Sequence, residues 1–207
     1  MLSSQPNYLR AGIVLLDPQS GEPRDAIPLM INPQTLTTQF EIKAPGSSDT
    51  RNEQMRLNGP PKETISFEAI LDATDALERG DQDALDFGIG HYIAALRSLI
   101  TPSKKQLLDN DALAKEGKLT IMPMIQPLPV FSWGLRRRVP VKVSSMSLTE
   151  DFFSAQLNPL SAKVSMTLQV LSVDDLGFDH PASSLFLHYL GELEKQAAKV
   201  IKPVPDA

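Results

Sequence analysis

The residues best equipped for chemistry in this 207-residue chain are three histidines and an acidic run: His91, His180 and His188, then Asp72, Asp75, Glu78, Asp81, Asp83 and Asp86. A metal site needs His, Cys or carboxylate ligands at close, repeated spacing. No histidine stands at such a spacing, and the chain contains no cysteine. The acidic run, DATDALERGDQD, lacks the glycine and the terminal glutamate at the positions a calcium-binding loop requires, so it reads as a solvated rim. There is no Walker loop, no dinucleotide-binding glycine pattern and no nucleophile elbow. The expectation is therefore a protein with no catalytic residue, no metal and no cofactor.

Charge and composition narrow the partners. The net charge of −5 argues against nucleic acid unless basic residues are gathered on one face. The only basic run is Arg136, Arg137 and Arg138, which reads as a hairpin tip or an ion-paired rim, because phosphate binding takes several contacts. The absence of cysteine excludes disulfides and points to no oxidising compartment. The N-terminal MLSSQPNYLR shows no basic segment followed by a long apolar core, and no apolar run approaches the roughly 20 residues that span a bilayer. Synthesis and assembly are expected in the cytoplasm.

The elements that position these residues are mostly strands. Residues 128–133, 139–146, 150–156 and 162–173 read as an antiparallel meander. The last is the clearest, with Ala162, Val164, Met166, Leu168 and Val170 on one side and Lys163, Ser165, Thr167 and Gln169 on the other. Residues 9–16 and 27–31 pair as a hairpin around Asp17-Pro18-Gln19-Ser20-Gly21, and residues 37–43 and 62–71 alternate as further strands. A polar loop over 44–61 is long enough to contact a partner. One helix is predicted over 82–101, where Leu85, Ile89, Ile93, Leu96 and Ile100 recur at steps of three and four. A short surface helix over 104–117 and an apolar stretch over 118–124 lead into the meander. A terminal helix over 185–200 presents a stripe of Leu187, Leu190, Leu193 and Ala197, with Ser183 or Ser184 placed to cap it. The chain divides into a β domain over 1–173 and a connector with a C-terminal amphipathic helix over 174–207.

Several motifs in order carry a resemblance. They are Ile31-Asn32-Pro33 before the strand with Phe40-Glu41-Ile42, Phe131-Ser132-Trp133-Gly134, Thr149-Glu150-Asp151-Phe152-Phe153, and Asn158-Pro159 followed by Ala162 and Val164. In these the chain resembles the contractile injection system tube proteins, phage tail-like tube and hub-adaptor subunits, over residues 9–173. The resemblance implies a mainly β (α+β) fold, a tail-tube-like β-sandwich or barrel with one flanking helix and a C-terminal helix. It implies no enzyme but a structural part of the inner tube or baseplate, either a tube-initiating protein or an adaptor from tube to spike. The implied assembly is a homo-oligomeric, hexameric ring in contact with tube subunits, the spike or hub and other baseplate proteins. Such a particle is released or membrane-anchored. Longer relatives carry a peptidoglycan-binding LysM module after this domain. Here the matching region is followed by a connector and a helix, so cell-wall binding is not carried over.

The interface candidates are Phe131, Trp133, Arg136, Arg137, Arg138, Phe152, Phe153, Leu187, Leu190 and Leu193. Trp133, beside Gly134, reads either as a core anchor at a strand end or as an interface residue, where Trp is enriched. The alternative function is a stand-alone β-domain binding module that docks through its C-terminal helix. On either reading, removing the terminal helix is expected to leave the β domain folded.

Overall fold

The computed structural model describes residues 9–43, 57–115 and 127–202. The N-terminal hairpin pairs β1 (Gly12–Leu16) with β2 (Pro23–Pro28). Its turn is tied by Asp17, whose carboxylate accepts the backbone N–H groups of Ser20 and Gln19 at 3.0 and 2.9 Å. Those bonds hold the Asp17 carboxyl below its ordinary range. β3 (Leu36–Glu41) and β4 (Lys62–Asp72) follow as a second antiparallel pair. Lys43, after β3, meets Asp174 in an ion pair of 2.7 Å. Most of the predicted loop over 44–61, residues 44–56, lies outside the described residues, as does the stretch over 118–124.

Between β4 and the next strand lie four helices among the described residues: α1 (Thr74–Glu78), α2 (Gln82–Phe87), α3 (Gly90–Ser98) and α4 (Lys104–Lys115). The single helix predicted over 82–101 is therefore broken, and Gly88 breaks it. Its φ is +59°, and a Cβ there would lie 2.0 Å from the Pro159 carbonyl oxygen, so only glycine fits where this turn abuts the sheet. Ile89 N–H donates to that same carbonyl at 2.9 Å, which fixes α3 to the strand beside it.

The meander is built from β5 (Leu128–Trp133), β6 (Arg137–Phe153) and β7 (Pro159–Val170). Two strands were predicted where β6 is one. Ser147, Leu148 and Thr149 hold no Gly, Pro, Asn or Asp, and Met146 and Leu148 keep the period of two across them. A register irregularity between Val143 and Ser145 absorbs the added twist. After β7, Ser172 and Asp175 form a reciprocal capping box around α5 (Val173–Leu176). The last helix is α6 (Ser183–Ala197). Neither predicted serine caps it: the Ser183 hydroxyl donates to the Gly177 carbonyl at 2.5 Å and that of Ser184 to Pro181 at 2.7 Å.

The seven strands form one antiparallel sheet in the order β2-β1-β5-β6-β7-β4-β3. β6 is the hinge of this sheet. Its residues 137–140 pair with β5, while residues 141–153 pair with β7. The sheet turns there and folds over itself: Phe67 on β4 and Phe131 on β5 are not neighbours in strand order, yet their rings stack at 5.3 Å. Trp133 stacks on Phe131 at 6.0 Å. Around this stack are packed Ile13, Leu29, Ile65, Leu71, Met166 and Leu168, all nearly inaccessible. The sheet is not closed into a barrel, because β2 and β3 remain as edges.

Candidate assembly interface

The four-stranded half of the sheet, β6, β7, β4 and β3, has two distinct faces. Cross-strand pairing brings Thr37, Ser66, Thr167 and Ser145 into one row and Gln39, Thr64, Gln169 and Lys142 into another. These residues face away from the core, and the Ser66 hydroxyl reaches that of Thr167 at 3.4 Å. The opposite face is apolar through Ile65, Phe67, Val164, Met166 and Leu168. One side of this sheet is therefore wet and hydroxyl-rich while the other is core, which is what the period of two in β4 and β7 demands.

Among the described residues both margins of this half are open: β3 pairs only with β4, and residues 141–153 of β6 pair only with β7 among the strands. On the core side of these margins, apolar residues stand incompletely covered. Phe40 on β3 is 59% exposed, and Val143, Met146 and Leu148 on β6 are half-buried. β2, the edge of the other half, carries prolines at both ends, Pro23 and Pro28, and its pairing with β1 is irregular at Leu15 and Leu16. Prolines and irregular pairing discourage strand addition. β3 contains no proline and offers an LTTQFE edge paired to β4 without a register shift.

The Lys62 end of this half is where α6 docks. Tyr189 of α6 is 5% exposed and donates its phenol proton to Glu63 Oε1 at 3.1 Å. Burial pushes the Glu63 carboxyl up, against the opposing pull of the Tyr189 bond and of Arg137. Burial also pushes the Tyr189 phenol up to about 12, with the Glu63 charge adding to it. Because the folded-state value of Glu63 is raised, its contribution to stability is full below the ordinary carboxyl range and is lost as pH rises through its folded value. Glu63→Gln keeps an acceptor for Tyr189 and removes the charge. Its melting temperature is therefore expected to exceed the parent's by a margin that grows from about pH 4 to about pH 8. Tyr189→Phe strands the carboxyl instead and is expected to cost about 1–3 kcal/mol in denaturant unfolding. A Glu63→Gln chain that melts lower than the parent at about pH 8 would show that the attraction to Arg137 outweighs burial.

The residues singled out in the sequence fall into different surroundings. Phe131 is 0% exposed and has no surface to offer a partner, so it is corrected from interface to core, where it centres the aromatic stack. Trp133 is part of that stack and also lines an open groove with Leu9, Leu135, Arg136, Arg137 and Leu193. Arg136 and Arg138 are exposed, while Arg137 is half-buried beside Glu63 and Tyr189. Phe152 and Phe153 stand exposed at the far end of β6. In α6 the buried positions are Ser183, Phe186 and Tyr189. Leu190 packs partly on the core, and Leu187 and Leu193 face out. Sequence reading missed Phe40, Glu63 and Tyr189. The last shares an i, i+3 spacing with Phe186 that runs beside the leucine stripe and signals a second, aromatic face.

Among the described residues no group of three or more His, Cys, Asp or Glu is placed to hold a metal ion, and no helix is long and apolar enough to cross a membrane. What the geometry offers is edges and faces for assembly. A family model described as contractile injection system tube protein matches residues 13–176. The chain belongs to that family. No curated protein is matched by the chain. The matched region of this tube protein takes in every strand of the sheet from Ile13 onward and ends at α5, so α6 lies beyond it. A tube protein of this kind is a structural component that assembles with other tube or baseplate parts of a contractile injection system particle.

Proposed function

We propose that this tube protein is a tube-initiating or tube-to-spike adaptor subunit that closes into a ring, six copies in the implied assembly, by strand pairing between β3 of one copy and the 141–153 edge of β6 in the next. The observation that carries this is the pair of open margins on the four-stranded half. Its strands alternate in direction, so its two margins run opposite ways. A rotation that repeats the subunit then sets β3 against β6 as another antiparallel pair and continues the sheet without a change of pattern. The same rotation brings the exposed Phe40 toward Val143 and Met146, extending the core across the joint at roughly 25 cal/mol per Å² of apolar surface covered, before ordering costs. The hydroxyl-rich face would form a continuous wet wall, suited to the lumen of a tube. α6, beyond the region matched by the family, is an element available for adaptor contacts to spike, hub or baseplate. Assembly in the cytoplasm before release or anchoring of the particle fits a chain without cysteine.

Size-exclusion chromatography with light scattering, followed by negative-stain imaging over a concentration series, tests this reading. Rings or short stacked rings of a single copy number are the expected result. A monomer that persists at every concentration, alone and when co-expressed with tube and spike components, would instead favour a binding module.

A further inference from the structure

We propose that Asn58 is a self-modifying position: the Gly59 nitrogen closes on its carboxamide, ammonia leaves, and water opens the resulting cyclic imide to aspartate or isoaspartate. The chain holds six asparagines, and Asn58 alone precedes a glycine. The bond that must form joins the next residue's backbone nitrogen to the asparagine Cγ. That nitrogen has to carry a removable proton and stand free of crowding. Asn32 and Asn158 precede Pro33 and Pro159, whose nitrogens carry no proton. Their side chains are also engaged: Asn32 Oδ1 accepts the Ala11 N–H at 2.8 Å, and the Asn158 amide donates to the Asp86 carbonyl at 2.7 Å. Asn110 lies inside α4, where the helix commits the following N–H to the carbonyl four residues back. Asn7 and Asn52 lie outside the described residues and precede Tyr8 and Glu53, whose side chains crowd the attacking nitrogen.

The surroundings of Asn58 leave the reaction open. Leu57, Asn58 and Gly59 are all exposed and stand in irregular backbone ahead of β4. Among the described residues the Asn58 carboxamide has no hydrogen-bond partner. Gly59 has a φ of 90°, which glycine enters without strain, and its missing side chain leaves the nitrogen uncrowded. A Cβ on Gly59 would lie 2.8 Å from Asp174 Oδ2, so the turn runs directly against that carboxylate. In the first step the bond from the Gly59 nitrogen to Asn58 Cγ forms and the carboxamide C–N bond breaks, the nitrogen's proton leaving with the amide as ammonia. Water then adds to one of the two imide carbonyls. Attack at the former side-chain carbon restores the backbone and leaves aspartate. Attack at the former backbone carbon leaves isoaspartate, whose backbone is one carbon longer. No electrons are exchanged, and water is the sole co-reactant. Either product sets a carboxylate one residue from the point where Gly59 meets Asp174, so that Lys43, 2.7 Å from Asp174, then faces two anions. Lys43 stands two residues past the end of β3, and the new charge therefore acts at the end of the open β3 margin. That consequence rests on the ring reading above, whereas the modification does not.

The test holds freshly purified full-length chain in mildly alkaline, heavy-oxygen water, folded and in parallel in urea, and follows each asparagine by peptide mass spectrometry. In the folded chain, residue 58 is expected to gain heavy oxygen at a rate within about tenfold of that in urea, because a turn at the weak end of the stability range needs little opening to react. Asn32, Asn110 and Asn158 are expected to keep their amides under the same folded conditions. Aspartate and isoaspartate should appear together at position 58, separable by chromatography, since both come from one imide. Asn58→Gln, whose longer side chain has to close a larger ring, should fold like the parent and stay unmodified. A folded chain that keeps its Asn58 amide while the chain in urea loses it overturns the proposal, because the fold then shields the site. Aspartate without isoaspartate overturns the cyclic route. Modified chain, separated from fresh chain by anion exchange, is expected to need a several-fold higher concentration to form rings. Equal assembly by the two overturns the effect on the β3 margin, and fresh chain that forms no rings refutes the ring reading while the mass of residue 58 still decides the modification.

Discussion

Proline placed at alternate positions of β3 is expected to give folded chains that no longer form rings. In an antiparallel pair the N–H of successive residues points by turns to the partner strand and away from it. Across Thr37, Thr38, Gln39 and Phe40, every second position therefore donates to β4 and the others face the open margin. Proline at a margin-facing position removes a donor that the isolated subunit does not use, so melting by circular dichroism should stay close to that of the parent. Proline at a position facing β4 breaks a ladder bond and should lower the melting temperature. In the assembly the order reverses. Two or three interchain hydrogen bonds at about 1 kcal/mol each, together with the clash of the proline ring against an incoming strand, raise the concentration needed for ring formation by roughly a hundredfold or more. If every proline variant that folds also assembles like the parent, β3 is not the lateral contact and the ring must be joined elsewhere.

That result bears on how much of the architecture the sequence could disclose. Strands with one wet face announce themselves. β4 and β7 alternate without interruption, and their pairing puts Ile65 opposite Leu168 and Ala69 opposite Val164, as a shared apolar face requires. β6 was harder because its length hid its double role. Its change of partner falls at Pro140, between Val139 and Val141 that keep the alternation, and the phase of that alternation slips from Val143 to Met146 at a pairing irregularity that reads in sequence as a gap between two strands. The helical insert was misread for a different reason. Gly88 inside a periodic run looks like a modest loss of helix propensity, about 1 kcal/mol. In the fold it is a close approach to Pro159, a residue 71 positions further along, and no local rule reports such a contact.

The assembly surfaces were legible only in part, because an interface residue is defined by what its own fold fails to cover. Phe131 and Phe152 are the same residue type on strands of the same meander. One is the centre of the core and the other stands in solvent, and the difference lies in which neighbours fold over each. The three arginines could be placed at a turn from their sequence, but the electrostatic pull of Arg137 on Glu63 and Tyr189 depends on the fold that brings the start of β6 and the start of β4 under α6. Phe40 lies on the same face of β3 as Leu36 and Thr38, which pair with the core residues Phe67 and Ile65. It is left uncovered because β3 is the last strand of the sheet.

Truncating the chain after residue 182 is expected to unfold or severely weaken the sheet, against the sequence-based expectation that the β domain would stand without its terminal helix. The helix is not laid on the surface by its leucines. It inserts Phe186, 3% exposed, and Tyr189 into the same cluster that holds Phe67 and Phe131. Losing one buried aromatic side chain costs about 3–5 kcal/mol. Losing both, with Glu63 left without its hydrogen-bond partner, exceeds about 5 kcal/mol, the lower end of what a whole domain commonly possesses. Point substitutions separate this from a trivial effect of truncation. Phe186→Ala should carry most of the loss, lowering the melting temperature by roughly 10 °C or more, whereas Leu187→Ser and Leu193→Ser should each shift stability by no more than about 0.5 kcal/mol. Their outward positions leave those leucines free for contact with another protein, and variants at them should act on assembly without acting on the fold. A truncated chain that melts like the parent would reverse the argument: the helix would be a detachable docking element, and the binding-module reading would regain its footing.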